Sequence, residues 1–267
     1  MSTPTVTPTL PVQNAGRVVE LASRLTAARS ERRAIPQLSD DVPDLDLSTA
    51  YAVQRALRDA AGPLAGWKLG VTSRAKQLQV GVDSPIRGFL AAANALDVGE
   101  PLRVEQHIQP RCEPEVVLIL GRDLEGPHVT AADVMAATTA VAVGIEVLDS
   151  RYSDYRFTMP DVVADNTSAG RYLVGAPVDA VGIDLRLVGV VLELRGEVVA
   201  TASGAAALGH PAAAVAWLVR SLHVDGDGLK AGEIVLSGGL TAAVPVVAGD
   251  CVVASIDRLG VLELACE

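Results

Sequence analysis

Two glutamates stand on either side of a proline, directly before an apolar run. Arg111-Cys112-Glu113-Pro114-Glu115 leads into five apolar residues, 116–120, which are typical of a buried strand. Because side chains alternate between the two faces of a strand, Glu113 and Glu115 are expected on the same face. Carboxylates this close repel each other, and a cation between them would relieve the repulsion. Pro114 lacks a backbone donor, which predicts a strand entrance or edge at this point.

A third carboxylate, Glu146, is embedded in the apolar segment 144–148. A lone glutamate there is costly unless it is paired or binds a metal. Three carboxylates without a matching His or Cys cluster describe an oxygen-ligand site, which favours Mg²⁺ or Mn²⁺ over Zn²⁺. The alternative is a structural ion network in which Arg111 and Arg151 pair with Glu113 and Glu115. The pattern alone leaves both interpretations open.

Two polar residues before this strand are further candidates. Lys68 stands among apolar neighbours in the strand-like segment 64–73. Its ammonium either reaches the surface or is buried against an anion. Asp83 lies in the predicted turn 81–85, where its side chain can bond to its own backbone. A structural role therefore stands beside a functional one for each residue.

Two stretches after Glu146 also carry candidates. Residues 149–161, including Arg151, are charged and aromatic, and loops of this composition often meet ligands. Ser168 belongs to the polar segment 164–170, which is either a turn with side-chain bonds to the backbone or a ligand-binding loop. Spacing does not separate these two interpretations.

The composition limits the class of protein. The chain has 267 residues, of which 49% are apolar, and a net charge of -10. A large core is therefore expected, and nucleic acid or an anionic membrane surface is not expected as a partner. Three widely spaced cysteines fit a reduced, cytoplasmic protein, and no uncharged apolar run is long enough for a membrane-spanning helix.

Several common kinds of active site are excluded by pattern. The four histidines are scattered, and no two of them share a helix face at metal-ligand spacing, so a zincin site is excluded. The chain has no Gly-x-Ser-x-Gly, Gly-x-Gly-x-x-Gly or P-loop motif, which excludes acyl-serine and nucleotide chemistry of those kinds.

The elements that must position these residues follow from periodicity. Apolar spacing predicts a helix over residues 17–29, a polar connection over 30–47 and a second helix from a Ser48 cap to about Ala61. Thr130 is predicted to cap a helix over 131–143. The second half reads as short strands, with a hairpin at Arg195-Gly196-Glu197 and a helix opened by Pro211. This pattern predicts an α+β fold with a curled, largely antiparallel sheet.

The predicted organisation has three parts. Residues 1–15 form a flexible tail rich in Thr and Pro, residues 16–63 form an N-terminal helical cap, and residues 64–267 form one β-rich domain.

Five motifs in register resemble one family. They are Gly66-Trp67-Lys68-Leu69-Gly70, Gly81-Val82-Asp83-Ser84-Pro85, Pro110-Arg111-Cys112-Glu113-Pro114-Glu115, Glu146-Val147-Leu148-Asp149-Ser150-Arg151-Tyr152 and Val163-Ala164-Asp165-Asn166-Thr167-Ser168. From about Val18 onward the chain resembles the hydratase/decarboxylase branch of the fumarylacetoacetate hydrolase superfamily.

The resemblance implies a fold and a site. The fold is a curled mixed β-roll with peripheral helices. The site is Mg²⁺ or Mn²⁺ held by Glu113, Glu115 and Glu146. Active-site roles are implied for Lys68, Asp83 and Ser168, and we expect Arg151 to help Lys68 orient an anionic substrate.

Within the branch, four stretches resemble the decarboxylases. They are Arg111-Cys112-Glu113-Pro114-Glu115, Ser150-Arg151-Tyr152 with Phe157 following, Thr201-Ala202-Ser203-Gly204-Ala205-Ala206 and Gly238-Gly239-Leu240-Thr241-Ala242-Ala243-Val244. The implied activity is metal-dependent decarboxylation of 2-oxohex-3-enedioate to 2-hydroxypenta-2,4-dienoate in meta-cleavage degradation of aromatic compounds. One alternative is a hydratase that adds water to 2-hydroxypenta-2,4-dienoate, and another is a noncatalytic partner subunit of such a hydratase. Self-association and a complex with a related hydratase are also implied.

Overall fold

Two β-sheets and a layer of helices make up the part of the chain that the computed structural model describes, residues 12–73, 77 and 84–267. The helices are α1 (Val12–Glu31), α2 (Leu38–Asp41), α3 (Leu47–Ala60), α4 (Ala131–Ala137), α5 (Met159–Ala164) and α6 (Pro211–Val224). The strands are β1 (Leu64–Gly70), β2 (Ile86–Ala91), β3 (Ala95–Leu96), β4 (Arg111–Leu120), β5 (Thr138–Leu148), β6 (Ala169–Val174), β7 (Val178–Asp179), β8 (Gly189–Leu194), β9 (Glu197–Ser203), β10 (Ile234–Leu236), β11 (Val244–Pro245), β12 (Cys251–Ile256) and β13 (Gly260–Ala265).

The larger sheet is mixed and carries the candidate site. Within the described ranges it has nine strands in the order β2-β1-β10-β4-β5-β6-β3, with β11 also paired to β4 and β7 to β5. The β1/β10 and β3/β6 pairs are parallel, and the other pairs are antiparallel. The prediction of a largely antiparallel sheet in an α+β fold is therefore confirmed.

The smaller sheet closes the core from the other side. Among the described residues it has four antiparallel strands in the order β13-β12-β8-β9, and Arg195-Gly196 turns the β8/β9 hairpin as predicted. Val252 and Leu262 of this sheet belong to the same buried apolar cluster as Val141 and Val143 of β5. The two sheets therefore share one core, to which aliphatic side chains contribute most of the volume.

The N-terminal helices pack through a second apolar cluster. Leu21 and Leu25 of α1 and Val53 of α3 are buried together with Tyr152 and Val163. The last two residues come from the segment around α5, so the cap is fastened to the roll beside the polar loop 164–170. The division of the chain at residue 63 stays a prediction.

Two boundaries differ from the predictions. The helix expected over 131–143 ends at Ala137, since the β-branched run beginning at Thr138 continues as β5. The second helix begins at Leu47 with Asp46 as its cap, because the Asp46 carboxylate accepts the Thr49 N–H at 2.7 Å, so the expected Ser48 cap was wrong.

Short helical pieces also replace two segments that were expected to lack regular structure. Helix α2 interrupts the connection over 30–47. Helix α5 begins within the loop over 149–161, with a capping box between Thr158 and Asp161. Most of the predicted tail, and the stretch around Asp83, lie outside the described residues. None of the helices in the described ranges has the length and apolar character that a bilayer crossing would need.

Candidate metal centre and active site

The three candidate metal ligands meet at the β4/β5 pairing. Glu113 lies directly opposite Glu146, and Glu115, two residues along β4, lies opposite Gly144. One carboxylate oxygen from each glutamate lies within 4.8 Å of the other two. The three side chains are at most 4% exposed. The prediction that Glu113 and Glu115 share a face is confirmed, and the antiparallel register adds Glu146 to the same cluster.

Pro114 lies where the neighbouring strand has ended. Strand β10 stops at Leu236, opposite Val117. The chain then leaves the ladder, with Leu240 N–H donating to Pro114 O at 3.1 Å. Since the N and O of one strand residue point to the same side, the missing Pro114 N–H falls on this uncovered side. Pro114 is the fourth residue of β4, so the predicted strand entrance was wrong; the proline lies in the gap between the β11 and β10 pairings and leaves no ladder donor unpaired.

Two glycines bring the backbone after β10 against the carboxylates. Gly238 has a φ of +106° and its N–H donates to Glu115 Oε2 at 2.6 Å. A Cβ on Gly239 would overlap the Glu113 carboxylate, and one on Gly238 would overlap the Thr72 side chain. The absence of side chains at both positions is what allows this close approach.

Lys68 is buried against an anion and does not reach the surface. The side chain is 1% exposed, its Nζ lies 3.0 Å from Glu146 Oε1, and it donates to Thr167 O at 3.1 Å. The parallel β1/β10 pairing places Lys68 opposite Leu236, the last residue before the glycine segment. Of the two interpretations of Lys68 that the sequence left open, the structure has the buried one.

The electrostatics of the cluster call for more positive charge. Burial, followed by the charges of Glu146 and Glu113, raises the pKa of Glu115 well above its usual range. Burial also raises the pKa of Glu146, although the Lys68 ammonium opposes the shift. Within the described residues, the Lys68 ammonium lies among three carboxylates in a site shielded from water, and a divalent cation would relieve the repulsion between those carboxylates.

The oxygens of the cluster are suited to such a cation. Within the described part of the chain, Glu115 Oε1 and both Glu146 oxygens have no hydrogen-bond partner, although Glu146 Oε1 is ion-paired with Lys68. Buried carboxylate oxygens in folded proteins are normally hydrogen-bonded or bound to a metal. The ligand set is made only of carboxylate oxygens, so these residues fit Mg²⁺ or Mn²⁺.

Arg151 and Arg111 use their guanidinium groups elsewhere. Arg151 Nε bonds the Asp165 carboxylate, and Nη1 donates to the backbone oxygens of Asp149 and Ala169 at 2.7 and 2.9 Å. The Arg111 guanidinium lies 4.0 Å from the centroid of the Tyr155 ring. These contacts differ from the ion network considered as the alternative to a metal site. They also leave Arg151 outside the group formed by Lys68 and the three glutamates.

Ser168 ends a turn with an unusual backbone conformation. Asn166, Thr167 and Ser168 have φ of 49°, 55° and 57° in succession. The turn supplies the Thr167 carbonyl that accepts from Lys68, so the structure brings this loop to the candidate site. Ser168 is 3% exposed, and its Oγ has no hydrogen-bond partner among the described residues. Asp83 lies outside the described residues.

Sequence reasoning missed several residues that shape the site. The Thr167 carbonyl contacts Lys68, Gly238 and Gly239 contact Glu115 and Glu113, and Asn166 contacts β2, the neighbour of the strand that carries Lys68. Two signals were available: asparagine tolerates the left-handed region, and paired glycines mark a close backbone approach. Neither signal names the partner, because the contacts join segments about 100 residues apart in the chain.

Comparisons with known proteins agree with this architecture. Residues 51–265 match the family model described as fumarylacetoacetate (FAA) hydrolase C-terminal. A 4-oxalocrotonate decarboxylase of Pseudomonas sp. (strain CF600) is 40% identical over 88% of this chain and 90% of its own length. A 2-keto-4-pentenoate hydratase of Burkholderia vietnamiensis is 40% identical over 91% of this chain and 95% of its own.

A solved structure extends the likeness to three dimensions. The 4-oxalocrotonate decarboxylase from Pseudomonas putida G7, complexed with magnesium and adipate, superposes with a TM-score of 0.92 at 37% identity. The match covers 97% of this chain and 99% of that one. The curled mixed β-roll expected from the sequence is confirmed. The chain belongs to the fumarylacetoacetate hydrolase family.

Proposed function

We propose that this protein is a metal-dependent decarboxylase that converts 2-oxohex-3-enedioate into 2-hydroxypenta-2,4-dienoate. The observation that carries the proposal is the buried cluster of three glutamates beside one buried lysine, with carboxylate oxygens that lack hydrogen bonds within the described residues. The similarity to 4-oxalocrotonate decarboxylases supports the choice of reaction.

The reaction requires that the electron pair of the broken carbon–carbon bond be delocalised. When the C5–C6 bond breaks and CO₂ leaves, the pair forms a C4=C5 bond. The C3=C4 pair moves to C2=C3, and the C2 carbonyl oxygen becomes negative. Protonation of that oxygen gives the 2-hydroxydienoate. The barrier is therefore lowered by groups that stabilise negative charge at the C2 oxygen.

The residues of the candidate site have different roles in this reaction. Glu113, Glu115 and Glu146 would hold Mg²⁺ or Mn²⁺, which supplies Lewis-acid stabilisation of negative oxygen when bound. Lys68, a buried ammonium, orients the anionic substrate and supports the charge that develops, and in a dry site such a donor is worth more than in water. Ser168 offers a hydrogen bond to the substrate from its buried hydroxyl.

Two sequence-based candidates complete the proposal. Asp83 stays the candidate for moving a proton. Arg151 acts indirectly, because its donors hold the backbone of the Ser168 loop through Asp165 and Ala169. We also retain self-association, a complex with a related hydratase and a cytoplasmic location as predictions from the sequence.

A hydratase is the second candidate function. The chain is as similar to a 2-keto-4-pentenoate hydratase as to a decarboxylase, at 40% identity in each comparison. A hydratase would need a placed water and a base where the decarboxylase needs room for a departing carboxylate. The same carboxylate cluster would suit both reactions, so substrate turnover has to decide between them.

The test offers each substrate to the purified protein with Mg²⁺. We expect CO₂ release and loss of enone absorbance with 2-oxohex-3-enedioate, no turnover of 2-hydroxypenta-2,4-dienoate, and no activity after chelation with EDTA. Glu146→Gln should abolish turnover, whereas Glu197→Gln, an exposed change in the β8/β9 hairpin, should leave it unchanged.

Each other outcome has a definite meaning. Turnover of the dienol substrate alone would replace the decarboxylase with the hydratase. Full activity of Glu146→Gln in EDTA would refute the metal assignment. Failure with both substrates, together with tight binding to a hydratase, would favour the noncatalytic subunit.

A further inference from the structure

The turn over Asn166–Ser168 is held in a conformation that its residues do not favour. Three successive non-glycine residues have positive φ, each at a cost of about 1–3 kcal/mol. Such a turn persists only when its surroundings determine it. The question is which contacts hold it and what the held turn does.

The Asn166 side chain fastens the turn to strand β2. Its Oδ1 accepts the Phe89 N–H at 2.9 Å, and its Nδ2 donates to Phe89 O at 3.0 Å. The carboxamide thus gives Phe89 the pair of bonds that a neighbouring strand would give, on the side of β2 facing away from β1. A Cβ on Gly88 would overlap Thr167 Oγ1, so the turn lies directly on the β2 backbone.

The two ends of the turn are held by Arg151. One end is Asp165, whose carboxylate and carbonyl oxygens both accept from the guanidinium. The other end is Ala169, whose carbonyl accepts from Nη1 at 2.9 Å. Arg151 fixes where the turn begins and ends, and Asn166 fixes how far it lies from β2.

The held turn directs the Thr167 carbonyl to Lys68. The Lys68 ammonium lies between two acceptors, Thr167 O at 3.1 Å and Glu146 Oε1 at 3.0 Å. An ammonium on a flexible four-carbon chain has no fixed direction of its own, so its acceptors determine where its donors point. Movement of the turn would therefore move the Lys68 donors.

We infer that Asn166 is a positioning residue, which orients Lys68 through the Thr167 carbonyl. The effect of Asn166 on turnover rests on the proposed function, in which Lys68 takes part in the reaction. Its effect on the position of Lys68 does not. Asn166 itself has no role in substrate binding or proton transfer.

A matched control comes from Gln54 of α3, a second buried carboxamide that bonds to the backbone of β2. Gln54 Nε2 donates to Arg87 O at 2.8 Å and to Val163 O at 2.9 Å, so it also ties the α5 region to β2. It is 3% exposed, against 6% for Asn166. Gln54→Ala removes two buried hydrogen bonds, as Asn166→Ala does, but leaves the turn over 166–168 in place.

The experiment compares Asn166→Ala, Asn166→Gly and Gln54→Ala by urea denaturation and by steady-state kinetics. Both alanine variants should lose stability, and Asn166→Gly should lose less than Asn166→Ala because glycine accepts a positive φ. Both Asn166 variants should lower kcat by roughly 10–100-fold with little change in KM, since a misplacement of about 1 Å has this effect. Gln54→Ala should keep kcat.

A crystal structure of Asn166→Gly gives a readout that does not depend on turnover. We expect the Lys68 Nζ to Thr167 O distance to exceed the hydrogen-bond limit of about 3.5 Å. An intact contact, an unchanged kcat, or an equal loss of kcat in Gln54→Ala would overturn the inference. Wild-type protein inactive toward 2-oxohex-3-enedioate would refute the proposed function instead, and the Lys68 contact in the variant would still decide the role of Asn166.

Discussion

Glu113 and Glu146 face each other across neighbouring antiparallel strands, and both carboxylates are almost fully buried. With Glu115 they bring three acidic groups together, and the Lys68 ammonium is ion-paired with one of them, Glu146. The arrangement is unfavourable without a further cation, and this imbalance leads to the first prediction.

Neutralising Glu115 should stabilise the metal-free protein. Burial and the neighbouring carboxylates raise the pKa of Glu115, so its contribution to stability is present below its unfolded value near 4.5 and is lost as the pH rises through the raised folded value. At pH 8 in EDTA, Glu115→Gln should be more stable than wild type by about 1–4 kcal/mol. The advantage should shrink at pH 5, and urea denaturation at the two pH values measures it.

Saturating Mg²⁺ should reverse the order, because a bound cation stabilises the folded wild type and the variant lacks one ligand charge. A variant that is less stable than wild type at pH 8 in EDTA would contradict the charge-repulsion argument.

Adding one methyl group at Gly239 should weaken metal binding. The new Cβ would overlap the Glu113 carboxylate and force it to move. We expect Gly239→Ala to reduce the affinity for Mn²⁺ by roughly 10–100-fold, as displacement of a ligand's support usually does. Isothermal titration calorimetry measures the affinity. Gly189→Ala, where a Cβ meets open space, is the control and should bind Mn²⁺ as wild type does.

Removing the Arg151 guanidinium should be costly for folding. Asp165 is fully buried, and burial raises its pKa to about 6 even with Arg151 beside it. Without the arginine the carboxylate has lost its cation, so Arg151→Met should lower the free energy of unfolding by about 3–5 kcal/mol at pH 8. The loss should be smaller at pH 5, where protonation of Asp165 removes the uncompensated charge.

Arg111→Met provides the comparison for Arg151. It removes a stacking contact with Tyr155, which we expect to contribute about 0.5–1 kcal/mol. Equal losses in the two variants would show that Arg151 does not hold the loop through Asp165.

Replacing Lys68 should slow the reaction. Lys68→Met keeps the length of the side chain but removes the ammonium, and we expect kcat to fall by about 10²–10³-fold, as it does when a donor to a developing oxyanion is lost. Lys230→Met removes a lysine from an exposed ion pair with Asp123 and should leave kcat unchanged. A Lys68→Met enzyme with wild-type kcat would exclude Lys68 from the mechanism.

The three candidate metal ligands could be singled out because each stands out by a local rule, whereas their assignment to a metal came from the family resemblance. Glu113 and Glu115 follow from the two-residue period of a strand, and Glu146 stands out as an acid within an apolar segment. The β4/β5 register places Glu146 opposite Glu113 and not opposite Glu115, two residues further along β4. No local rule determines this register.

The misjudged features have identifiable physical causes. The alanines over 131–137 favour a helix, but the β-branched residues from Thr138 onward pair with β4, and sheet pairing overrode the helical pattern. The partner of Arg151 could not be predicted, because charge type does not distinguish Asp165 from the glutamates. The turn over 166–168 was identified only as polar, since its conformation depends on a contact between Asn166 and Phe89, 77 residues away.

The register of β4 and β5 has a consequence for how this family can change. A slip of one residue would turn every acidic side chain to the opposite face, so the spacing of the three acids cannot drift in small steps. Lys68, the Ser168 turn and the double glycine lie on other segments of the chain, outside the β4/β5 pairing. A change of reaction that keeps the three acids in place therefore has to come from the segments around them.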